Sequence, residues 1–396
     1  MIKLEDRQRI LAQTRNLKMA DSAHAYVRGS TVKFYEWLEN SRGKLPEGPP
    51  VWICGDCHVG NLGPLADAKG RVLVQIRDLD QTVIGNPAHD LIRLGLSLAS
   101  AARGSDLPGV TTARILEELI AGYQAALSGN FAPDNDKSHR PKAIQRLLAR
   151  STRRRWRHLA EERLDTVEPK IPLGKRFWAL TPPERKALSE MFEGDAVRSV
   201  LTALRGHATD DSLELLDAAY WLKGCSSLGR LRYACLLRVG GGNGASFCLV
   251  DVKEGVTAAA PRAAKTQMPR DNAVRVVTGA KALSPNLGQR MIAARLLDKA
   301  VVLRELMPQD LKIEIGRLTR QEAMSLARYL AGVVGRAHGR QMKSSVRRSW
   351  LSDLSKNHKA SLEAPSWLWS SVVALIALHE AAYLDHCRQY ALAEGA

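Results

Sequence analysis

Residues 51–90, VWICGDCHVGNLGPLADAKGRVLVQIRDLDQTVIGNPAHD, constrain what this chain can fold into more than any other stretch. They set Asp56, His58 and Asn61 on a loop behind one short apolar run, Asp78 and Asp80 behind a second, and Asp90 just past Pro87. Residues 51–54 read as a buried strand and residues 71–76 as another, with a polar loop over 55–70 between them. A hairpin of this kind brings Asp56, Asn61 and Asp78 toward one point. Pro87 opens a helix whose apolar residues Leu91, Leu94, Leu98 and Ala102 recur at helical spacing. Isolated acids and amides commonly do no more than fill turns; here the joint spacing argues for chemistry.

Phosphoryl transfer asks for such a set: a carboxylate to take the nucleophile's proton, hard oxygen ligands for magnesium, and cationic or backbone donors for phosphates. The run Gly55-Asp56-Cys57-His58-Val59-Gly60-Asn61 resembles the GDxHxxN catalytic loop of the aminoglycoside and choline kinase branch of the protein-kinase-like fold. Asp78 resembles that branch's second metal-binding Asp, with Asp-Leu-Asp standing where kinases have Asp-Phe-Gly. Pro87-Ala88-His89-Asp90-Leu91 resembles the P-x-x-D-L that follows. The resemblance implies that Asp56 is the catalytic base and that Asn61 and Asp78 hold the metal, with Asp80 a further ligand. Asp90 would be structural, holding the catalytic loop through its backbone amides. His58 would either orient the loop, contact phosphate or serve as a structural histidine. A rival reading, the Cys54-x-x-Cys57-His58 haem-attachment pattern, requires export, and no export signal is expected from the first residues. Zinc would need a second Cys/His pair at suitable spacing, and none is evident.

A kinase also needs a glycine-rich turn over the phosphates and a lysine on a strand. The candidates here follow the catalytic loop instead of preceding it: Gly224-Cys225-Ser226-Ser227-Leu228-Gly229, then β-rich runs over 232–239 and 246–252 joined by a glycine-rich turn, with Lys253 at the end of the second. Gly224, Ser226, Ser227, Gly229 and Lys253 would cover and steady the nucleotide. Residues 301–308, VVLRELMP, would be the hinge strand against an adenine edge, with Arg304 and Glu305 beside it. The helix over 319–342 would lead toward the catalytic loop. No glutamate stands ready to pair with Lys253, because residues 265–284 offer only Asp271 as an acid. Taking 224–340 first and 51–220 second restores the kinase order, which implies a circular permutation. This motif order, with Tyr26-Val27-Arg28-Gly29 ahead of the Gly-Asp loop, resembles the bacterial family of domain of unknown function 2252 over roughly residues 15–340. Arg28 is a candidate contact for phosphate or substrate, or a salt-bridge residue.

The 396 residues, 45% hydrophobic and 25% charged, suffice for two lobes. Residues 1–45 read as mainly helical, broken near 25–30, and 110–222 as helical throughout. Six cysteines without a repeating framework suggest reduced thiols, and no run approaches the roughly 18 apolar residues of a membrane span, so a cytoplasmic protein is expected. A net charge of +17 points to an acidic partner. Residues 137–157 carry nine Lys or Arg and no acid, which would make nucleic-acid binding strongly salt-dependent, although only Trp156 offers stacking. The reading is thus a circularly permuted, kinase-like, two-lobed α+β fold. Its parts are an N-terminal helical segment (1–50), the catalytic hairpin and helical lobe (51–222), a β-rich nucleotide lobe (223–310) and C-terminal helices (311–396). The expected activity is ATP- and Mg2+-dependent phosphorylation of a hydroxyl on an unknown small-molecule, protein or acidic substrate. The alternatives are AMP transfer at the same site, or an inactive nucleotide-binding or nucleic-acid-binding regulator.

Overall fold

The computed structural model describes residues 4–41, 43–131, 140–154, 170–204, 212–224, 228–241, 246–313, 318–355 and 364–390. Within them the chain is α+β. Three helices come first: α1 (Leu4–Ala20), α2 (Ala23–Gly29) and α3 (Thr31–Asn40). The strands β1 (Val51–Ile53), β2 (Leu62–Ala66), β3 (Val72–Ile76) and β4 (Val83–Gly85) follow, then α4 (Pro87–Arg103), α5 (Gly109–Leu127) and α6 (Lys142–Arg153). Next come β5 (Phe177–Trp178), α7 (Pro182–Glu193), α8 (Asp195–Leu204), β6 (Leu213–Trp221), β7 (Arg232–Val239) and β8 (Ser246–Glu254). The remainder is α9 (Asn272–Leu283), the short α10 (Pro285–Gly288), β9 (Met291–Leu296), β10 (Lys299–Leu306), α11 (Arg320–Gly339), α12 (Ser344–Ser355) and α13 (Ser366–Tyr390).

Strands β5 to β10 form one antiparallel sheet in the order β5-β6-β7-β8-β10-β9. Successive side chains of a strand point to opposite faces. Along β7, Tyr233, Cys235, Leu237 and Val239 therefore enter the core that Leu188 and Phe192 of α7 and Val197 and Leu201 of α8 complete, while Ala234 and Leu236 face a smaller cluster on the other side. Leu11 of α1 joins the sheet's core, whereas most of the remaining elements share a separate and larger one. Its axis is α4, started by Asn86, whose side chain accepts from the Ala88 amide, and by Pro87 in the first turn. Nearly every α4 residue from Pro87 to Ala102 is buried, because α5, α11, α13 and α2 surround it.

Several local expectations fail, each for a physical reason. The supposed polar loop over 55–70 contains β2, fully buried and paired with β3, while β1 pairs with β4. The region read as helical through 222 ends in β6, whose LELLDAAYW is rich in helix formers but is drawn into the sheet by pairing with β7 across a bulge between Leu215 and Asp217. The N-terminal break expected over 25–30 is instead the helix α2, capped by Ser22, whose hydroxyl accepts from the Ala25 amide; the chain turns at residues 21–22 and at Ser30. By length and composition alone α13 qualifies to cross a membrane, a test that core helices of soluble proteins also pass. In the fold it packs on α4 and on the N-terminal helices, burying Trp367, Leu368, Val372, Leu375 and Ile376. The central part of the basic segment is α6, with Ile144 and Ser151 buried. Residues 137–139 and 155–157 of that segment, Cys225, Ser226 and Ser227, and the turn at 242–245 lie outside the described residues.

Candidate active site

The geometry of the site begins with a fully buried carboxylate. Asp90, in the first turn of α4, accepts from the Cys54 amide at 2.7 Å and the Gly55 amide at 2.9 Å. His338 of α11 sets its Nε2 3.2 Å from the same carboxylate, and its Nδ1 lies 3.1 Å from the Tyr123 hydroxyl, whose oxygen accepts from Trp350 Nε1 at 3.3 Å. Helices α5, α11 and α12 thus brace one loop through a single chain of hydrogen bonds. Gly55 has φ +75°, and a Cβ there would stand 2.1 Å from the Gln81 carbonyl oxygen, so only glycine fits. The Tyr35 hydroxyl donates to the Gly55 carbonyl from the opposite side.

The loop so held delivers Asp56 to the edge of a cleft of about 490 Å³. Arg93 Nε donates to its Oδ1 at 2.8 Å, Thr31 Oγ1 to its Oδ2 at 3.0 Å, and His58 Nε2 stands 3.9 Å from Oδ2. Arg93 lies three residues after Asp90, on the same face of α4, and also donates to the Val27 carbonyl at 2.6 Å. Burial raises the Asp56 carboxyl above its ordinary range, with Arg93 and Thr31 pulling the other way. A more basic carboxylate is a better proton acceptor near neutral pH. Burial, together with the Arg28 and Arg93 charges, holds His58 well below the usual histidine range, so its ring is neutral. Asn61 donates from Nδ2 to the Asp56 carbonyl at 3.0 Å, which leaves its side-chain oxygen as the atom available to a cation.

Asp78 and Asp80 lie between β3 and β4, and there the sheet meets the loop. Lys253 of β8 places Nζ 3.5 Å from Asp78 and forms an ion pair with Asp80. Burial in the cleft would raise Asp78, yet Lys253 and Arg232 outweigh it and hold the carboxyl well below the ordinary range, although nearly half of its side-chain surface is open. Asp80 is pushed the other way, by burial and by the Asp78 charge. The acid that kinase geometry asks of the neighbouring helix is absent from α9. Asp271 caps that helix instead, accepting from the Ala273 and Val274 amides, and Lys253 takes its partners from the Asp-x-Asp. What α9 supplies is Arg275, which donates to the carbonyls of Asp80 at 3.0 Å, Val256 at 2.7 Å and Thr82.

The cleft therefore gathers Asp56, His58, Asn61, Asp78 and Asp80 from one end of the chain and Gly224, Lys253 and Arg304 from the other, with Arg28 from α2. Gly229, Glu305 and Asp90 are not among its lining. Glu305 is 2% exposed, and Gly229 accepts at its carbonyl from Gln8. Arg304 donates to Asp310 at 2.9 Å and to the Arg77 carbonyl at 3.0 Å, a structural engagement on the cleft wall. Arg93, Thr31, Arg275 and the buried pair Arg232–Asp251 (2.9 Å) escaped the sequence reading. For Arg93 a signal existed, its i,i+3 spacing from Asp90; the others come from distant segments. As for magnesium, the three oxygens of Asn61, Asp78 and Asp80 are hard donors on one cleft and fit such an ion. Cys54, Cys57 and Asp90 also bring ligand atoms within 4.8 Å of one another. They suit a metal poorly: Asp90 is consumed by the loop amides, and hydrogen bonding to Cys57 followed by burial raises the Cys54 thiol well above its usual range.

No curated protein and no solved structure gives a significant match to the chain. The family model described as "Uncharacterized protein conserved in bacteria (DUF2252)" matches residues 7–389, and the chain belongs to this family.

Proposed function

We propose that the protein is an ATP- and magnesium-dependent phosphotransferase with a kinase-like arrangement in circularly permuted order. The observation that carries this reading is the meeting of Lys253, from the sheet, with Asp78 and Asp80, from the loop after β3, in one cleft with Asp56 and Asn61. Residues some 175 positions apart have no structural need to share a polar cleft, whereas a nucleotide spanning it would need each of them. Asn61, Asp78 and Asp80 would hold magnesium, whose contribution is to neutralise the phosphate charge. Lys253 would turn from the two carboxylates to the α- and β-phosphates. Asp56 would take the proton of the acceptor hydroxyl as that oxygen bonds to the γ-phosphorus. The bond from that phosphorus to the β–γ bridging oxygen breaks, and ADP leaves. Arg93 and Thr31 position Asp56 for this step, and Asp90 with His338 keeps the loop in place.

The test is titration of Mg·ATP into the wild type and into Asp78→Asn, with mass analysis of any product. Loss of magnesium-dependent binding in the variant, and a product heavier by one phosphate, are expected. Unchanged binding and ATP turnover in Asp78→Asn would refute the assignment, and a product heavier by AMP would move the reaction to nucleotidyl transfer.

A further inference from the structure

The catalytic end of the cleft holds more positive charge than its own carboxylates balance. Arg232 and Lys223 are met by Asp251, Lys253 by Asp78 and Asp80, and Arg304 by Asp310. Arg28, Arg77 and Lys312 also line the cleft, and among the described residues no carboxylate forms an ion pair with any of them. Arg28 lies against the catalytic loop: a Cβ built on Gly60 would stand 3.1 Å from its guanidinium carbon. Its Nε is buried without a hydrogen-bond partner, as is Nδ1 of His58, a cleft-lining side chain on a residue only 4% exposed. Partial desolvation in the cleft lowers Lys312, with the charges of Arg28 and Arg77 adding to it, while its side chain still reaches solvent. Like charges crowded beside an unsatisfied guanidinium N–H cost free energy unless an anion joins them.

Resting on the phosphotransferase reading, we propose that the acceptor brings its own dianion, a phosphate monoester, and that Arg28 and Lys312 bind it beside Asp56. Two features favour a dianion over a carboxylate. Three uncompensated cations converge, and a guanidinium with an ammonium can together meet several phosphate oxygens at once. The nucleotide's own phosphates have a separate cation in Lys253, which pairs with Asp78 and Asp80. The acceptor would thus be oriented by the anion it already carries, with its free hydroxyl delivered to Asp56. The overall net charge of +17 would draw such a substrate in.

The experiment is calorimetric titration of orthophosphate, with acetate as the monoanionic comparison, into protein saturated with magnesium and a non-hydrolysable ATP analogue. One phosphate site is expected. Arg28→Gln and Lys312→Gln should each weaken it at least tenfold and leave the affinity for the analogue within twofold, and Arg28→Lys should recover part of the loss. Lys312 is exposed, so its variant reports even if the Arg28 variants fold poorly. Displacement of phosphate by the analogue, phosphate affinity unmoved in both Gln variants, or acetate binding as tightly as phosphate would each overturn the proposal. If the wild type binds no nucleotide, the phosphotransferase reading falls separately. Phosphate titrated into the nucleotide-free protein then decides the site: dependence on Arg28 and Lys312 upholds it, and no binding overturns it.

Discussion

At the scale of single residues, the site depends on buried groups held in place by hydrogen bonds, and Asp90 is the clearest of them. An Asn at this position keeps the shape but offers one acceptor oxygen where two backbone amides and an imidazole now converge, and it turns an amide donor toward donors. Leaving buried amides unpaired costs about 2–4 kcal/mol. Asp90→Asn should therefore lower the free energy of unfolding in urea by that amount, and a loss under about 1 kcal/mol would mean that the loop is held by other contacts. The pair Arg232–Asp251 gives a pH-dependent counterpart. Although burial opposes ionisation, Arg232 and Lys223 hold Asp251 at about 2, against an ordinary value near 4. A carboxyl depressed on folding contributes stability that is complete above its unfolded pKa and fades as pH falls through the folded one. The advantage of the wild type over Asp251→Asn should be full above pH ~4 and shrink by about 2 kcal/mol on approach to pH ~2. An advantage flat across that window would show that the pairing is not what sets the charge.

At the scale of elements, the packing of α5 on α11 transmits stability to the loop that carries Asp56. The two helices cross so closely that a Cβ on Gly122 would lie 2.0 Å from the Arg328 carbonyl oxygen, and one on Gly335 would lie 2.8 Å from that of Tyr123. Backbone cannot yield as a flexible side chain can, so Gly122→Ala must push the helices apart. Overpacking of this kind costs about 1–3 kcal/mol. The displaced pair carries Tyr123 and His338, so the variant should both unfold at lower urea and bind Mg·ATP more weakly; wild-type behaviour in both would contradict the coupling. Much of this level was legible in the sequence where the information is local. The starts of α4 and α11 stand in Asn86-Pro87 and in the Thr319/Glu322 capping box, and the β7–β8 pair stands in two β-rich runs either side of a glycine-rich stretch. What was not legible is what partners at long range decide. LELLDAAYW is a strand only because β7 lies beside it, and LGPLA is a strand only because β3 does. The acidic and amide residues of 51–90 could be picked out by spacing, and Lys253 by its place at the end of a β-rich run, yet the arginine that steadies their backbone, Arg275, is encoded far downstream, where nothing local marks it as a partner.

At the scale of the whole molecule, acid should weaken this protein well before its carboxylates titrate, because three histidines, His379 buried and His24 and His89 partly so, sit uncharged in different helices. His24 of α2, His89 of α4 and His379 of α13 are each brought down to about 4, in every case chiefly by burial, with Arg28 and Arg93 adding to it at His24 and Arg93 at His379. The unfolded chain binds protons at all three near pH 6.5 while the folded chain declines them until about 4, so between those values the unfolded state holds more protons and stability rises with pH. Each group contributes a slope of about 1.4 kcal/mol per pH unit in that window. The free energy of unfolding should accordingly fall steeply from pH ~6.5 to ~4.5 and little between 7 and 8. Replacing His89 and His379 by Gln, which packs similarly without taking a proton, should flatten the fall by roughly half, since His24 and the likewise neutral His58 of the loop keep their share. Because these sites lie on α4 and on two helices packed against it, a fall that stays steep in the double variant would mean that acid acts elsewhere, with the cationic cleft around Arg28 as the next place to look.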